Sequence, residues 1–189
     1  AKVKGPYTQA PNNVSKAIDI FEAQSNPSLA EKKILSLAYI TFARFSKYTK
    51  DKEGLNYAYK GLELATSINF PTGRVFAHNQ IGLLVGYSRK DYEVALDHFI
   101  QAKNLLADLP EEVYQFIRGF IIGNIAKAWS DLGDVEKSIA YKLKVLETDN
   151  LNLELLLGTH NNLGSNYYAL KQYNLAEKHL QKTLDLMEE

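Results

Sequence analysis

Apolar and polar residues follow a helical period along most of this chain. Between residues 34 and 45, and again between residues 175 and 187, apolar side chains recur every three or four positions, which is the spacing of an amphipathic helix. Pro27, Pro71 and Pro110 separate such segments, and proline marks a helix boundary because it cannot donate a backbone hydrogen bond. Segments with the alternating period of a strand are missing. The pattern therefore predicts an all-α chain.

Local capping signals set the boundaries of the predicted helices. Ser28 and Glu31 have the spacing of a capping box, Asp91 and Asp134 are candidate N-caps, and Gly133 suits a helix C-terminus. We expect nine helices, over residues 12–25, 28–47, 51–68, 72–88, 91–107, 110–131, 134–148, 151–170 and 172–188.

The helical pattern repeats with a period of about 40 residues. Each unit has a branched apolar residue followed by a small one, at Leu37-Ala38, Ile81-Gly82, Ile125-Ala126 and Leu163-Gly164. The next helix of each unit carries another small residue, in turn Gly54, Ala95, Ser138 and Ala176, and four positions later stand Ala58, Phe99, Lys142 and Leu180. Two helices approach to about 8–10 Å only where the side chains at their crossing are short. The repeat therefore predicts an α-solenoid over residues 12–189, with a leading helix and four helical hairpins.

These units resemble the tetratricopeptide repeat. The last unit carries the resemblance most fully, at Asn162, Leu163, Gly164, Tyr167, Tyr173, Ala176 and Leu180. The first unit is degenerate, because its turn is extended at 49–52. The resemblance spans about residues 28–189 and implies a right-handed superhelix. The units are longer than the usual 34 residues, which is similar to the repeats in sensor regions of bacterial signalling proteins, including diguanylate cyclases, histidine kinases and peptide-responsive regulators.

The resemblance implies a non-catalytic module that binds a protein or peptide, as the sensor region of a bacterial signalling protein. An alternative is a scaffold or oligomerisation segment that acts through its outer or end surfaces. The two differ in which surface matters, because only the first uses the groove that tetratricopeptide arrays form on their concave side. Fold alone does not decide between them.

Composition and charge remove several other functions. Lys plus Arg and Asp plus Glu both number 22, so the net charge is zero and no long-range field gathers nucleic acid. No stretch approaches the roughly 20 apolar residues of a membrane span. The chain has no cysteine, which excludes thiolate chemistry and fits a periplasmic or a cytoplasmic location equally. No phosphate-binding loop or hydrolase motif occurs, so we expect no enzymatic activity and no cofactor.

The four histidines are the only residues that suggest a metal site. His78 and His160 occupy one equivalent position of the repeat, and His98 and His179 occupy another. Equivalent positions lie along a solenoid instead of meeting at one point, so we expect separate, partly buried histidines without a shared metal.

Polar residues stand directly before the apolar–small pairs and form the candidate binding site. They are Ser36, Gln80, Asn124 and Asn162, with Asn79 and Asn161 beside two of them. The resemblance places them on the concave groove, where a carboxamide offers a donor and an acceptor to a peptide backbone. Lys127, Arg74 and Tyr168 would add charge and stacking. The alternative is that these amides cap neighbouring helices or contact water.

The two ends of the chain indicate a piece of a longer protein. The chain begins at Ala1 instead of Met, and residues 1–11 are expected to form a flexible tail. The last helix continues its apolar pattern almost to Glu189. Its apolar residues are more than the preceding helix can cover: Leu175, Leu180, Leu184, Leu186 and Met187. We therefore expect a further helix, or a second copy in a homodimer, to pack on this surface.

Overall fold

The computed structural model describes residues 6–49, 53–149 and 151–188, and these ranges form helices and turns without a strand. The α-helices are α1 (Pro6–Glu22), α2 (Leu29–Thr49), α3 (Gly54–Ser67), α4 (Pro71–Arg89), α5 (Tyr92–Asn104), α6 (Glu111–Asp131), α7 (Val135–Leu146), α8 (Leu153–Ala169) and α9 (Tyr173–Glu188). The prediction of an all-α chain is confirmed. None of the described helices is long and apolar enough to span a membrane.

The start of α1 and the end of α5 differ from the sequence prediction in ways that change the secondary structure, and the other boundaries differ by at most three residues. Helix α1 begins at Pro6, so part of the segment expected to be a tail is helical, while residues 1–5 lie outside the described residues. Helix α5 ends at Asn104 and is followed by a short 3₁₀ helix, Leu106–Asp108, where one continuous helix was predicted. Leu109 is extended (φ −87°, ψ 150°), because the residue before a proline disfavours helical backbone.

The predicted capping box at the start of α2 is confirmed. The backbone N–H of Ser28 donates to Oε2 of Glu31 at 2.7 Å, and the backbone N–H of Glu31 donates to Oγ of Ser28 at 3.3 Å. This reciprocal arrangement satisfies two donors that a helix N-terminus leaves without a partner.

The predicted break between α6 and α7 is also confirmed. Gly133 adopts a left-handed conformation (φ 85°), and the next backbone N–H, of Asp134, donates to the carbonyl of Trp129. This bond belongs to a Schellman motif, which closes a helix C-terminus. The Asp134 side chain then caps α7 by accepting from the backbone N–H of Lys137 at 2.9 Å.

The chain divides into two compact units, Ala1–Asp91 and Tyr92–Glu189. In the first unit α1 packs on α2, α2 on α3 and α3 on α4, and α2 also contacts α4. In the second unit α5 to α9 pack consecutively, and α6 also contacts α8. The pairs α2–α3, α6–α7 and α8–α9 are the first, third and fourth predicted hairpins. The unit boundary lies between α4 and α5, which the sequence assigned to one hairpin.

Helix α1 is anchored on the first unit by apolar and polar contacts. Ile18 packs with Leu35 and Tyr39 in one buried cluster. The Tyr39 hydroxyl donates to Oε1 of Glu22 at 2.6 Å, and Nζ of Lys60 lies 3.5 Å from the same oxygen. These contacts join α1, α2 and α3, as expected for a leading helix.

The small residues identified by the repeat are buried where helices meet. All four members of the second small-residue set are buried: Gly54, Ala95, Ser138 and Ala176. At the α8–α9 crossing, a Cβ atom on Gly164 would lie 2.6 Å from Cγ of Leu180 and 3.3 Å from the carbonyl oxygen of Ala176. Helix α9 therefore packs directly on the α8 backbone, and only glycine fits without a shift.

Gly164→Val should separate these two helices. We expect the free energy of unfolding to fall by about 1–3 kcal/mol, because added methyl groups overpack a crossing that has no space. Urea unfolding followed by far-UV circular dichroism measures the change.

Gly158→Ala is the matched control on the same helix. A Cβ atom on Gly158 would meet nothing within 4 Å, and alanine is favoured over glycine inside a helix by about 1 kcal/mol. This variant should be as stable as the parent or more stable. Equal loss of stability in both variants would contradict the close-approach argument.

Candidate functional site

In the first unit, the predicted binding residues are mostly part of the packing. The Gln80 side chain is only 5% exposed, and Asn79 is half-buried and has an interaction partner of its own. Ser36 is fully buried, and its hydroxyl donates to the carbonyl oxygen of Gly61 at 2.9 Å. Gln80 is therefore unavailable to a ligand, and the amides do not continue as an exposed row through this unit.

In the second unit, helix α8 exposes three of the predicted residues, Asn161, Asn162 and Tyr168. Asn161, Ser165 and Tyr168 are spaced by four and three positions, so they lie on one face of the helix. Tyr168 is 65% exposed, and its ring meets the ring of Tyr173 edge-on at 5.5 Å between centroids. This face offers carboxamides, a hydroxyl and an aromatic ring to a ligand.

Helix α6 places its predicted residues beside this face. Lys127 is exposed and pairs with Asp131 at 3.0 Å, whereas Asn124 is half-buried and has a partner of its own. Phe116 lies on the same side of α6, is 67% exposed and contacts the Phe120 ring.

The exposed sides of α6 and α8 adjoin. Lys127 and Ser165 each follow the small residue of their repeat, so they hold equivalent positions. A Cβ atom on Gly119 of α6 would lie 2.9 Å from Cδ2 of Leu155 on α8, which shows how closely the two helices pack. We define the α6–α8 face by its exposed residues, Phe116, Lys127, Asn161, Asn162, Ser165 and Tyr168.

A buried polar cluster in the same unit was not identified from the sequence. Lys142 of α7 is 6% exposed, and its Nζ donates to Oγ of Ser138 at 2.5 Å. Nδ2 of Asn166 on α8 donates to the same oxygen at 3.0 Å. Burial and, to a smaller extent, the charge of Lys127 lower the pKa of Lys142 to about 8, and the charge of Asp131 opposes the shift. The cluster is part of the packing between α7 and α8, and it places the amino group of Lys142 in the core.

Two histidines converge, which corrects the expectation that the histidines are separate. Nδ1 of His160 on α8 lies 2.9 Å from Nδ1 of His179 on α9. One imidazole must donate and the other accept, so the contact is lost when both rings are protonated. The Tyr167 ring stacks on His179 with centroids 5.5 Å apart. The described residues contain no group of three or more side chains suited to holding a metal.

The repeat contained a signal for this histidine pair. Gly164 and Ala176 mark the α8–α9 crossing. His160 lies about one turn before Gly164, and His179 lies about one turn after Ala176. In an antiparallel hairpin, one turn back along α8 and one turn forward along α9 reach the same height along the hairpin axis, so the two histidine side chains meet.

The histidine pair makes stability depend on pH. Burial lowers the pKa of both imidazoles below the ordinary 6.5; the charges of His179 and Lys182 lower that of His160 further, and Lys178 lowers that of His179. The unfolded chain therefore binds protons more readily, and the stability from the neutral pair, fully present above about pH 6.5, is lost as the pH falls below it. We expect the melting temperature to fall between about pH 7.5 and pH 5.5.

His160→Asn with His179→Asn should make this fall smaller, because neither asparagine titrates. Part of the fall should remain, since burial also lowers the pKa of His98 on α5. Thermal unfolding of parent and variant at matched ionic strength tests the effect. An equal fall in both proteins would show that the pair does not control it.

No family model matches this sequence, and no curated protein sequence is significantly similar to it. Solved structures do resemble its fold. BtubC (BKLC) from P. vanneervenii is 14% identical over 97% of this chain and 74% of its own, with a TM-score of 0.79.

Two further structures have the same architecture. A Podosopora anserina kinesin light chain with nearly identical TPR-like repeats is 15% identical over 97% of this chain and 88% of its own, with a TM-score of 0.70. MamA is 15% identical over 99% of this chain and 92% of its own, with a TM-score of 0.61. At these identities the likeness concerns the fold. The chain is an α-solenoid with the fold of the tetratricopeptide-repeat proteins.

Proposed function

We propose that this chain is a non-catalytic module that binds a protein or peptide through the α6–α8 face of its second unit. The observation that carries the proposal is the exposure of Asn161, Asn162 and Tyr168 on α8. Asparagine is unfavourable inside a helix, and these two amides have no packing role that would explain them. A tetratricopeptide-like fold supports a protein partner over a small metabolite.

The chemistry of the face fits an extended peptide. Carboxamides at Asn161 and Asn162 can donate to a backbone carbonyl and accept from a backbone N–H. The exposed rings of Tyr168 and Phe116 offer apolar area to side chains of the ligand, and exposed aromatic residues are typical of protein interfaces. Backbone contacts would provide affinity, and the aromatic contacts would provide selectivity.

The proposed setting is the sensor region of a larger bacterial signalling protein. The support is the repeat length, which resembles that of such regions more than the usual 34 residues. In that setting, a ligand bound at the α6–α8 face would supply the signal, and another domain would respond to it.

Asn161→Ala with Asn162→Ala should weaken peptide binding by about 1–3 kcal/mol, because backbone groups of the ligand lose their partners. Peptides selected on the parent protein from a random library are the probes, and fluorescence anisotropy measures their affinities. Asn124 is left unchanged because it is half-buried and has its own partner.

Asn56→Ala with Asn174→Ala removes two exposed amides from α3 and α9 instead. This control should bind the selected peptides as the parent does. The proposal fails if the α8 variant, correctly folded, keeps the parent's affinities for these peptides.

We propose self-association through α9 as a second candidate function. Leu180, Leu184 and Met187 are exposed at a spacing of four and three residues, with Met187 69% exposed, and they form one apolar row. Leu186, which the sequence placed in the same exposed set, is buried instead. A self-complementary row of this kind suits a two-fold dimer.

Leu184→Glu should abolish this association, because it places a charge in the middle of the apolar row. Sedimentation velocity over a range of protein concentrations measures the dimer fraction. Leu175→Glu adds the same charge on the opposite side of α9 and should leave the dimer intact. A parent that stays monomeric at every concentration would eliminate this candidate.

A further inference from the structure

Helices α5 and α6 border an open hollow of about 490 Å³ in the second unit. Its floor is apolar and consists of Leu96 and Ile100 from α5, with Trp129 and Leu132 from the end of α6 and the turn after it. The volume is within the range of binding pockets in proteins. None of the residues assigned to the α6–α8 face lines it.

Carboxylates surround this apolar floor. Glu93 and Asp97 of α5 are four residues apart, on the same face of the helix as Leu96 and Ile100. Like charges at this spacing repel each other. Among the ion pairs of the described residues, none neutralises either carboxylate. Asp97 accepts a hydrogen bond from Gln101, and its charge also acts on the neighbouring His98. A cation in the hollow would relieve this repulsion.

The third carboxylate, that of Asp134, already has partners within the protein. These partners indicate which chemistry the hollow favours. It caps α7 and pairs with Nζ of Lys137 at 2.8 Å. The same ammonium lies 4.0 Å from the centroid of the Trp129 ring. An amine of the protein itself is thus held between a carboxylate and an aromatic face. Glu93 and Asp97 are left for an external group.

We propose that this hollow, the α5–α6 pocket, is a second interaction surface that receives an arginine side chain of a protein partner. A guanidinium presents five donors in a planar fork, so it can bridge two carboxylates one helical turn apart. Its aliphatic stem would lie on Leu96, Ile100 and Trp129. An acidic rim repels nucleic acid and anionic lipid, which leaves a basic protein segment as the occupant. The pocket is a separate surface from the α6–α8 face and does not depend on the function proposed there.

Trp129 is the only tryptophan of the chain, so its fluorescence reports on this pocket directly. The probe is the blocked pentapeptide acetyl-Ala-Ala-Arg-Ala-Ala-amide, titrated into the full chain. The matched peptide contains citrulline, which has the shape of arginine without its charge. We expect a saturable change in Trp129 emission with the arginine peptide, and about tenfold weaker binding of the citrulline peptide, because citrulline loses the charge that pairs with the two carboxylates.

Glu93→Gln with Asp97→Asn should weaken binding of the arginine peptide by about tenfold, since the variant removes both ion pairs of the guanidinium. Glu154→Gln with Glu177→Gln makes the same change in net charge at exposed positions of α8 and α9, and it should bind as the parent does. Equal binding of the two peptides, equal loss in both variants, or an emission change that does not saturate would each overturn the proposal.

Discussion

Close approach of neighbouring helices at small side chains is the constraint on which the rest of this structure depends. Gly164 brings α8 against Leu180 and the backbone of Ala176, and Gly61 brings α3 against Ile40 and the carbonyl oxygen of Ser36. Such a close contact fixes the rotation of the helix about its own axis. On α8 this rotation buries Leu163 and Gly164 and leaves Asn161 and Asn162 exposed.

The same constraint explains the polar cluster in the second unit. Ser138 occupies a position where the other repeats have glycine or alanine, so its hydroxyl is buried at a helix crossing and needs partners. Lys142 and Asn166 supply them. Burying an ammonium costs free energy, which is why the pKa of Lys142 falls to about 8. Such networks fix one arrangement of helices more strictly than apolar contacts do, at some loss of stability.

The architecture was readable from the sequence because its signals are local. The capping box of Ser28 and Glu31, the break at Gly133 and the small-residue sets each involve residues close together in the chain. The burial of Gln80 was not readable, since it depends on how α4 packs within the first unit. Predicting the contact of His160 with His179 required the register between α8 and α9. The comparison of repeats aligned only equivalent positions of different units, and these two histidines are not equivalent. The exposure of Tyr168 agrees with the position that the resemblance implied. The role of Tyr168 in binding stays a proposal.

Contacts in each unit join mainly helices that follow one another along the chain, with α2–α4 and α6–α8 as the next neighbours. Only short loops must close before such contacts form, so the entropy lost before the first stabilising interaction is small. Proteins dominated by local contacts fold in microseconds to milliseconds. Each unit also has its own apolar cluster, around Ile81 in the first and Leu163 in the second. Folding can therefore begin in either unit and spread from helix to helix, without the long-range pairing that makes β-rich proteins slow.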